Sequence, residues 1–155
     1  MGRIYTAQFS GVGVTLAQDL LSLVMGATDV GLIHEIGVSN LTEIGDAMEE
    51  MLLLRMRSGQ TTVGSGGTAP AVVARQVGDA ASGATVRAND TTEASAGTIV
   101  QHYSWNWNIR IPFQMIWTPE TRPVLAPSRR ATFELITVPA DSITMAGYIV
   151  FEELG

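Results

Sequence analysis

The most informative ten residues of the chain read Thr98-Ile99-Val100-Gln101-His102-Tyr103-Ser104-Trp105-Asn106-Trp107. Tyr103, Trp105 and Trp107 occupy alternate positions, and small polar residues separate them. Successive side chains of a β-strand point to opposite faces of its sheet. The alternation therefore predicts a half-buried strand with one aromatic face and one polar face.

The same two-residue period extends the prediction outward along the chain. In 51–57, Leu54 and Met56 share one face, whereas Arg55 and Arg57 share the other. Further β-prone runs, many ending at Gly, Ser or Pro turn signals, lie at 4–9, 20–25, 31–39, 84–87, 108–117, 131–138 and 145–152. About eight or nine strands at this spacing predict an all-β fold, which we interpret as a jelly-roll-like β-sandwich forming a single domain over 1–155.

Three segments break the strand pattern. Residues 40–50 contain good helix formers behind the capping candidate Thr42, but Gly45 interrupts them, so we expect one or two helical turns at most. Residues 58–69 and 79–97 are rich in Gly, Ser, Thr and Ala. Their composition buries little apolar surface, which predicts flexible loops or arms that external partners order.

Composition excludes several classes of function. The chain has no cysteine, which excludes disulfides, thiolate metal sites and a cysteine nucleophile. Its net charge of −6 opposes binding to nucleic acid, which requires a basic surface, and no apolar run is long enough to cross a membrane. Charged residues make up only 15% of the chain, below the usual share of about 25%. This deficit favours a surface that other subunits partly cover, although abundant Ser, Thr and Asn offer a simpler explanation.

No motif predicts an enzyme, a cofactor or a metal site. Residues 11–16 begin like a dinucleotide-binding loop but lack its third glycine, since Leu16 stands in that place. The only histidines are His34 and His102, too few for a three-histidine zinc site. The Gly-x-Ser-x-Gly sequence that positions a hydrolase nucleophile does not occur. A hydrolase would instead require a pocket joining histidine, carboxylate and hydroxyl groups.

The candidate functional residues are interface residues. Tyr103, Trp105 and Trp107 are predicted to fill the core or a subunit interface, where large aromatic side chains contribute most of the energy. The alternative is an exposed platform of aromatic rings in a carbohydrate-binding module. Arg75 and Arg87 lie at or near the two loop segments and are predicted to supply polar anchors to a partner.

Several stretches resemble small virion proteins of tailed bacteriophages. They are 4–9, 14–20, 64–70 (Gly-Ser-Gly-Gly-Thr-Ala-Pro), 118–123 and 139–147, which together extend over most of the chain. They consist of turn and strand sequences without catalytic residues.

This resemblance implies a β-rich structural protein of the virion, of the capsid decoration (cement) type. Such a protein binds the major capsid protein or other virion proteins, self-associates as a homo-oligomer such as a trimer, and is assembled in the host bacterial cytoplasm. A neck or tail structural component is the alternative within the same class.

Overall fold

The computed structural model describes residues 2–42 and 50–155. Within those ranges all regular secondary structure is β, and no helix there is long and apolar enough to cross a membrane. The strands are β1 (Arg3–Val14), β2 (Gln18–Val24), β3 (Val30–Asn40), β4 (Met51–Thr62), β5 (Val73–Ala74), β6 (Thr85–Asp90), β7 (Ser95–Asn108), β8 (Phe113–Ile116), β9 (Val124–Leu125), β10 (Arg130–Leu135) and β11 (Ile143–Leu154).

The strands form two sheets in which every pair is antiparallel. The first sheet has the order β5-β1-β11-β3-β8, with β9 also paired to β3, and the second has the order β6-β2-β10-β4-β7. Without the additional strands β5, β6 and β9, two four-stranded sheets remain, β1-β11-β3-β8 and β2-β10-β4-β7. Each connection between consecutive principal strands crosses to the other sheet, except the one from β4 to β7. This connectivity is that of a jelly roll, and it confirms the predicted all-β sandwich.

The alternating sequence patterns place side chains as predicted. In β4, Leu54 and Met56 are buried between the sheets, whereas Arg55 and Arg57 lie on the outer face of the second sheet. In β7, Trp107 is buried, and Tyr103 and Trp105 pack against the same core. Burying one large apolar side chain stabilises a fold by roughly 1.5–3 kcal/mol, so these inward faces hold the two sheets together.

The predicted strand at 108–117 is wrong in its first half. The chain leaves β7 at Asn108 and turns, with the Ile111 amide donating to the Asn108 carbonyl at 3.1 Å and the Arg110 amide donating to Asn108 Oδ1 at 3.0 Å. Pro112 follows and offers no amide hydrogen for a ladder. Only Phe113–Ile116 forms a strand, and it joins the opposite sheet. Asn and Pro are turn formers, and here their preference overrides the two-residue period.

The long polar segments contain more strand than their composition indicated. Residues 58–62 continue β4, and the segment 79–97 contains β6 and the start of β7. Isolated bridges pair Ser65 with Thr92 and Thr68 with Ala88. These hydrogen bonds lie within one chain, while the ordering of the segments by partners stays a prediction. The predicted helical turns at 40–50 lie largely outside the described residues.

Candidate functional site

The aromatic residues singled out in the sequence form part of the core. Measured between centroids, the Trp105 ring lies 5.4 Å from the Tyr103 ring and 6.1 Å from that of Phe133, both in the second sheet, and 5.3 Å from that of Phe113 across the sandwich. The Trp107 indole donates to the Ile111 carbonyl at 2.6 Å. Trp107 is buried, and Tyr103 and Trp105 are partly buried against the core, an arrangement that favours a structural role over a sugar-binding platform. That the three residues line a subunit interface stays a prediction.

The two predicted arginine anchors lie in different surroundings. Arg75 is exposed just after β5, and its backbone amide donates to the Ile4 carbonyl at 2.8 Å. Arg87 lies in β6, where its Nε donates to Asp90 Oδ2 at 2.7 Å. The guanidinium of Arg87 is therefore already engaged within the chain, whereas Arg75 presents its side chain at the surface.

The two histidines lie in different sheets and make separate contacts. His34 Nε2, in β3, lies 2.9 Å from Glu152 Oε2, and His102 Nε2, in β7, lies 2.7 Å from Ser58 Oγ. No carboxylate of the described residues bonds to His102. A catalytic serine needs an oriented base, and here the serine–histidine contact and the histidine–carboxylate contact belong to different pairs.

A charged cluster lies on the outer face of the second sheet. It consists of Asp19 in β2, Arg55 and Arg57 in β4, Glu134 in β10, and Glu93 in the connection between β6 and β7. The side chain of Glu134 is fully buried and accepts from Arg55 Nε and from Arg57 Nε, each at 2.7 Å. Charge-assisted hydrogen bonds of this kind offset the cost of burying the carboxylate.

Asp19 is the unusual member of the charged cluster. It is 1% exposed, its Oδ2 accepts from the Ala94 amide at 2.7 Å, and its Oδ1 has no hydrogen-bond partner. The pKa of Asp19 is raised from 3.8 to about 7, chiefly by burial; the nearby Glu134 and Glu93 also raise it, whereas the Ala94 hydrogen bond and Arg57 lower it. Near neutral pH this carboxyl is therefore partly protonated.

The carboxylates of Asp19, Glu93 and Glu134 each offer an oxygen within 4.8 Å of the others, which is the spacing of a metal site. Both oxygens of Glu134, however, already accept from the guanidinium groups of Arg55 and Arg57. These two positive charges neutralise all but one of the three negative ones. A single proton balances the remaining charge, whereas a divalent cation would leave an excess positive charge in a buried site. One bound proton therefore balances the charge of the cluster better than a bound divalent metal ion would.

Sequence reasoning missed the charged cluster. Its members are spread from position 19 to position 134, and no motif links them. One signal was available, since Glu134 interrupts the apolar run at 131–138 that was predicted to be a strand. A charged residue at the centre of such a run indicates a buried partner of opposite charge.

A shallow groove of about 350 Å³ crosses the strands β1, β11, β3 and β8 of the first sheet. Tyr148 and Gln114 line it together with Gln8, Phe9 and Gly37. The Gln114 amide donates to the Tyr148 hydroxyl at 3.0 Å and to Glu35 Oε1 at 2.6 Å. Burial and the hydrogen bond to Glu35 raise the pKa of Tyr148. The groove thus combines aromatic rings with amide and hydroxyl groups, and the Glu35 carboxylate bonds to two of its lining side chains, Tyr148 and Gln114.

Comparisons with known proteins assign no family to this chain. No family model matches it, and no curated protein matches it. A chain from a structure of infectious bursal disease virus strain Gt is 14% identical, with 99% of this chain and 42% of that chain covered and a TM-score of 0.21. A mutant VP2 protein of the same virus, from T=1 particles, is 13% identical, with 97% and 40% covered and a TM-score of 0.20. This chain thus spans about two fifths of the length of those viral chains, and TM-scores near 0.2 do not amount to a shared fold.

Proposed function

We propose that this chain is a structural subunit of a virus particle, and specifically a capsid decoration protein that binds a phage shell and bridges its capsid subunits. The connectivity of the eight principal strands supports the proposal, because jelly rolls recur in viral capsid domains. The fold also occurs in lectins and cupins, so the chemistry of the surface must separate these classes.

The chemistry of the described residues favours a structural role over an enzymatic one. A cupin-type metal site would bring several histidines together, but His34 and His102 lie in different sheets. In the cluster around Glu134, Arg55 and Arg57 both bond to that buried carboxylate and to Glu93. They hold the sheet and the chain segment at Glu93 together and leave no convergent set of groups for a substrate. We therefore propose that the protein is not an enzyme and acts through its surfaces.

The proposed role is mechanical. A particle under internal pressure fails where its subunits separate, and a small protein across such a seam adds buried area there. A standard protein contact buries about 1,600 Å² in total, and symmetric repetition multiplies modest contacts through avidity. Self-association, as a trimer or another homo-oligomer, and location in the virion form part of this proposal. A neck or tail position is its alternative.

The direct test is peptide mass spectrometry of purified source particles, combined with electron cryomicroscopy. We expect the chain at a fixed number of copies per particle, in density on the outside of the shell. Density in the neck or tail would contradict decoration but retain a structural role. Absence of the chain from purified particles would contradict both.

The groove beside Tyr148 supports a second candidate function, a carbohydrate-binding module. Its ring, amide and hydroxyl groups are of the kinds that stack on and hydrogen-bond to sugars, and it does not depend on Trp105 or Trp107. A glycan array with the wild-type protein and with Gln114→Ala tests this. Binding that is lost in the variant would favour the module, whereas no binding to any glycan would refute it.

A further inference from the structure

Strand β7 forms one edge of the second sheet. It runs from Ser95 to Asn108 and is the longest strand of the described chain. Its inner neighbour is β4, and no strand of the described residues pairs with its outer side. Residues 95–102 are all exposed, and among them the side chains of Ile99 and Val100 are 37% and 49% exposed. Proteins usually protect an exposed edge of this length.

The usual protective features are scarce on this edge. Residues 95–108 contain no charged residue and no proline. The opposite edge strand, β6, carries Arg87 and Asp90, and the edge strands of the first sheet, β5 and β8, have two and four residues. Register irregularities do twist the first half of β7, but its pairing with β4 is regular from Tyr103 to Asn108. That half is a regularly paired and neutral edge.

The hydrogen bonds to β4 show which backbone groups point outward. The Ile109 amide donates to the Glu50 carbonyl at 3.3 Å, directly after the pairing of Asn108 with Met51. Along an antiparallel strand, the backbone amides of successive residues point alternately toward one neighbouring strand and toward the opposite side. The amides of Ser104, Asn106 and Asn108 therefore face the open edge, where no strand of the described ranges 2–42 and 50–155 accepts their hydrogen bonds.

The charge distribution favours a second copy of the chain as the partner of this edge. Each chain carries a net charge of −6, so two copies repel one another over most of their surfaces. The β7 edge has no charge, and pairing it with its own copy brings no like charges together. An antiparallel strand pair is self-complementary about a two-fold axis, which is the commonest symmetry of protein dimers.

We propose that two copies of this chain pair antiparallel along their β7 edges and join their second sheets into one continuous sheet. This inference rests on the proposed function, since it supplies the contact through which the structural subunit self-associates. It is compatible with a trimer contact elsewhere on the surface, because one assembly can use two different interfaces.

The absence of cysteine allows single spin labels to map the pairing. We would label Thr98→Cys, Ser104→Cys and Asn106→Cys, which replace exposed residues, and use Gln8→Cys in the first sheet as the control. Pulsed electron paramagnetic resonance then measures the distance between equivalent labels in the dimer. In an antiparallel pair, moving the label by one residue away from the two-fold axis lengthens this distance by about 7 Å. This is twice the rise per residue of a strand, because the two labels move in opposite directions. Equal distances at all three positions, or no coupling at any of them, would overturn the proposal.

Two substitutions test the contact energetically. Ser104→Pro removes an amide that faces the open edge without removing a hydrogen bond to β4, and two lost intermolecular hydrogen bonds should raise the dimer Kd by on the order of tenfold to a hundredfold. Asn106→Lys places two like charges close together at the contact and should also weaken the dimer, whereas Gln8→Lys should not. Circular dichroism verifies that each variant is folded, and analytical ultracentrifugation gives the Kd.

The outcomes separate this inference from the proposed function. A chain that assembles normally despite both β7 substitutions would overturn edge pairing and leave the structural role in place. A wild-type chain that stays monomeric at all concentrations would also overturn edge pairing. A dimer with the expected label distances, formed by a chain that is absent from purified particles, would support edge pairing and contradict the virion role.

Discussion

The buried carboxyl of Asp19 predicts a specific dependence of stability on pH. In the folded protein its pKa is about 7, against 3.8 for the ordinary group. Between these two values the folded state holds a proton that the unfolded state has released. Stability therefore falls as the pH rises from about 4 to about 7, and the contribution of Asp19 is constant above that range. At about 1.36 kcal/mol per pH unit, the full difference is roughly 4 kcal/mol.

Asp19→Asn removes this titration and keeps the shape of the side chain. The amide oxygen can still accept from the Ala94 amide, and an uncharged NH₂ group takes the place of the unpartnered Oδ1. We expect the variant to be more stable than wild type at pH 8 by up to about 4 kcal/mol, with the difference shrinking toward zero near pH 4. Relaxation of the folded structure makes this figure an upper limit.

Urea unfolding at pH 4.5, 6 and 8 and at constant ionic strength measures the effect. Asp141→Asn, at an exposed position in the turn before β11, is the matched control for the charge change. Parallel stability curves for wild type and Asp19→Asn would refute the argument, as would a loss of stability in the variant at pH 8. Parallel curves would mean that ionising Asp19 in the folded protein costs no stability. A less stable variant at pH 8 would mean that the fold requires the negative charge of Asp19.

Three further variants test the other buried contacts. Glu134→Gln should destabilise the fold by about 3–5 kcal/mol in urea unfolding, because it leaves Arg55 and Arg57 without a buried partner charge. Trp107→Ala should cost about 3–5 kcal/mol in a thermal melt, and a mutant that melts like wild type would contradict a core position for this ring. Glu153→Gln weakens the hydrogen bonds that the backbone amides of residues 83 and 84 donate to this side chain. It should cost roughly 1.5–3 kcal/mol and speed their hydrogen exchange, and unchanged exchange would show that other contacts order this loop.

Local patterns in the sequence were sufficient to predict most of the principal strands and the faces they present, but not the short strands β5 and β9. The alternation at Leu54–Arg57 and at Tyr103–Trp107 separated inward from outward side chains correctly, because the direction of a side chain in a strand depends only on backbone geometry at neighbouring residues. The absence of cysteine and of catalytic motifs likewise needed no structure. The prediction failed at 108–117, where a turn at Asn108 and Pro112 interrupts a regular period.

The order of the strands and the charged cluster depended on the tertiary structure. Glu134 and Arg55 are 79 residues apart, and only the pairing of β10 with β4 brings them together. The same pairing order leaves β7 at an edge and folds Ala94 over Asp19. Strand pairing joins backbone groups that are far apart in the chain, and backbone hydrogen bonds are nearly the same for every residue type. Residue patterns therefore indicate which segments are strands, whereas the partner of each strand is decided by the packing of the whole domain.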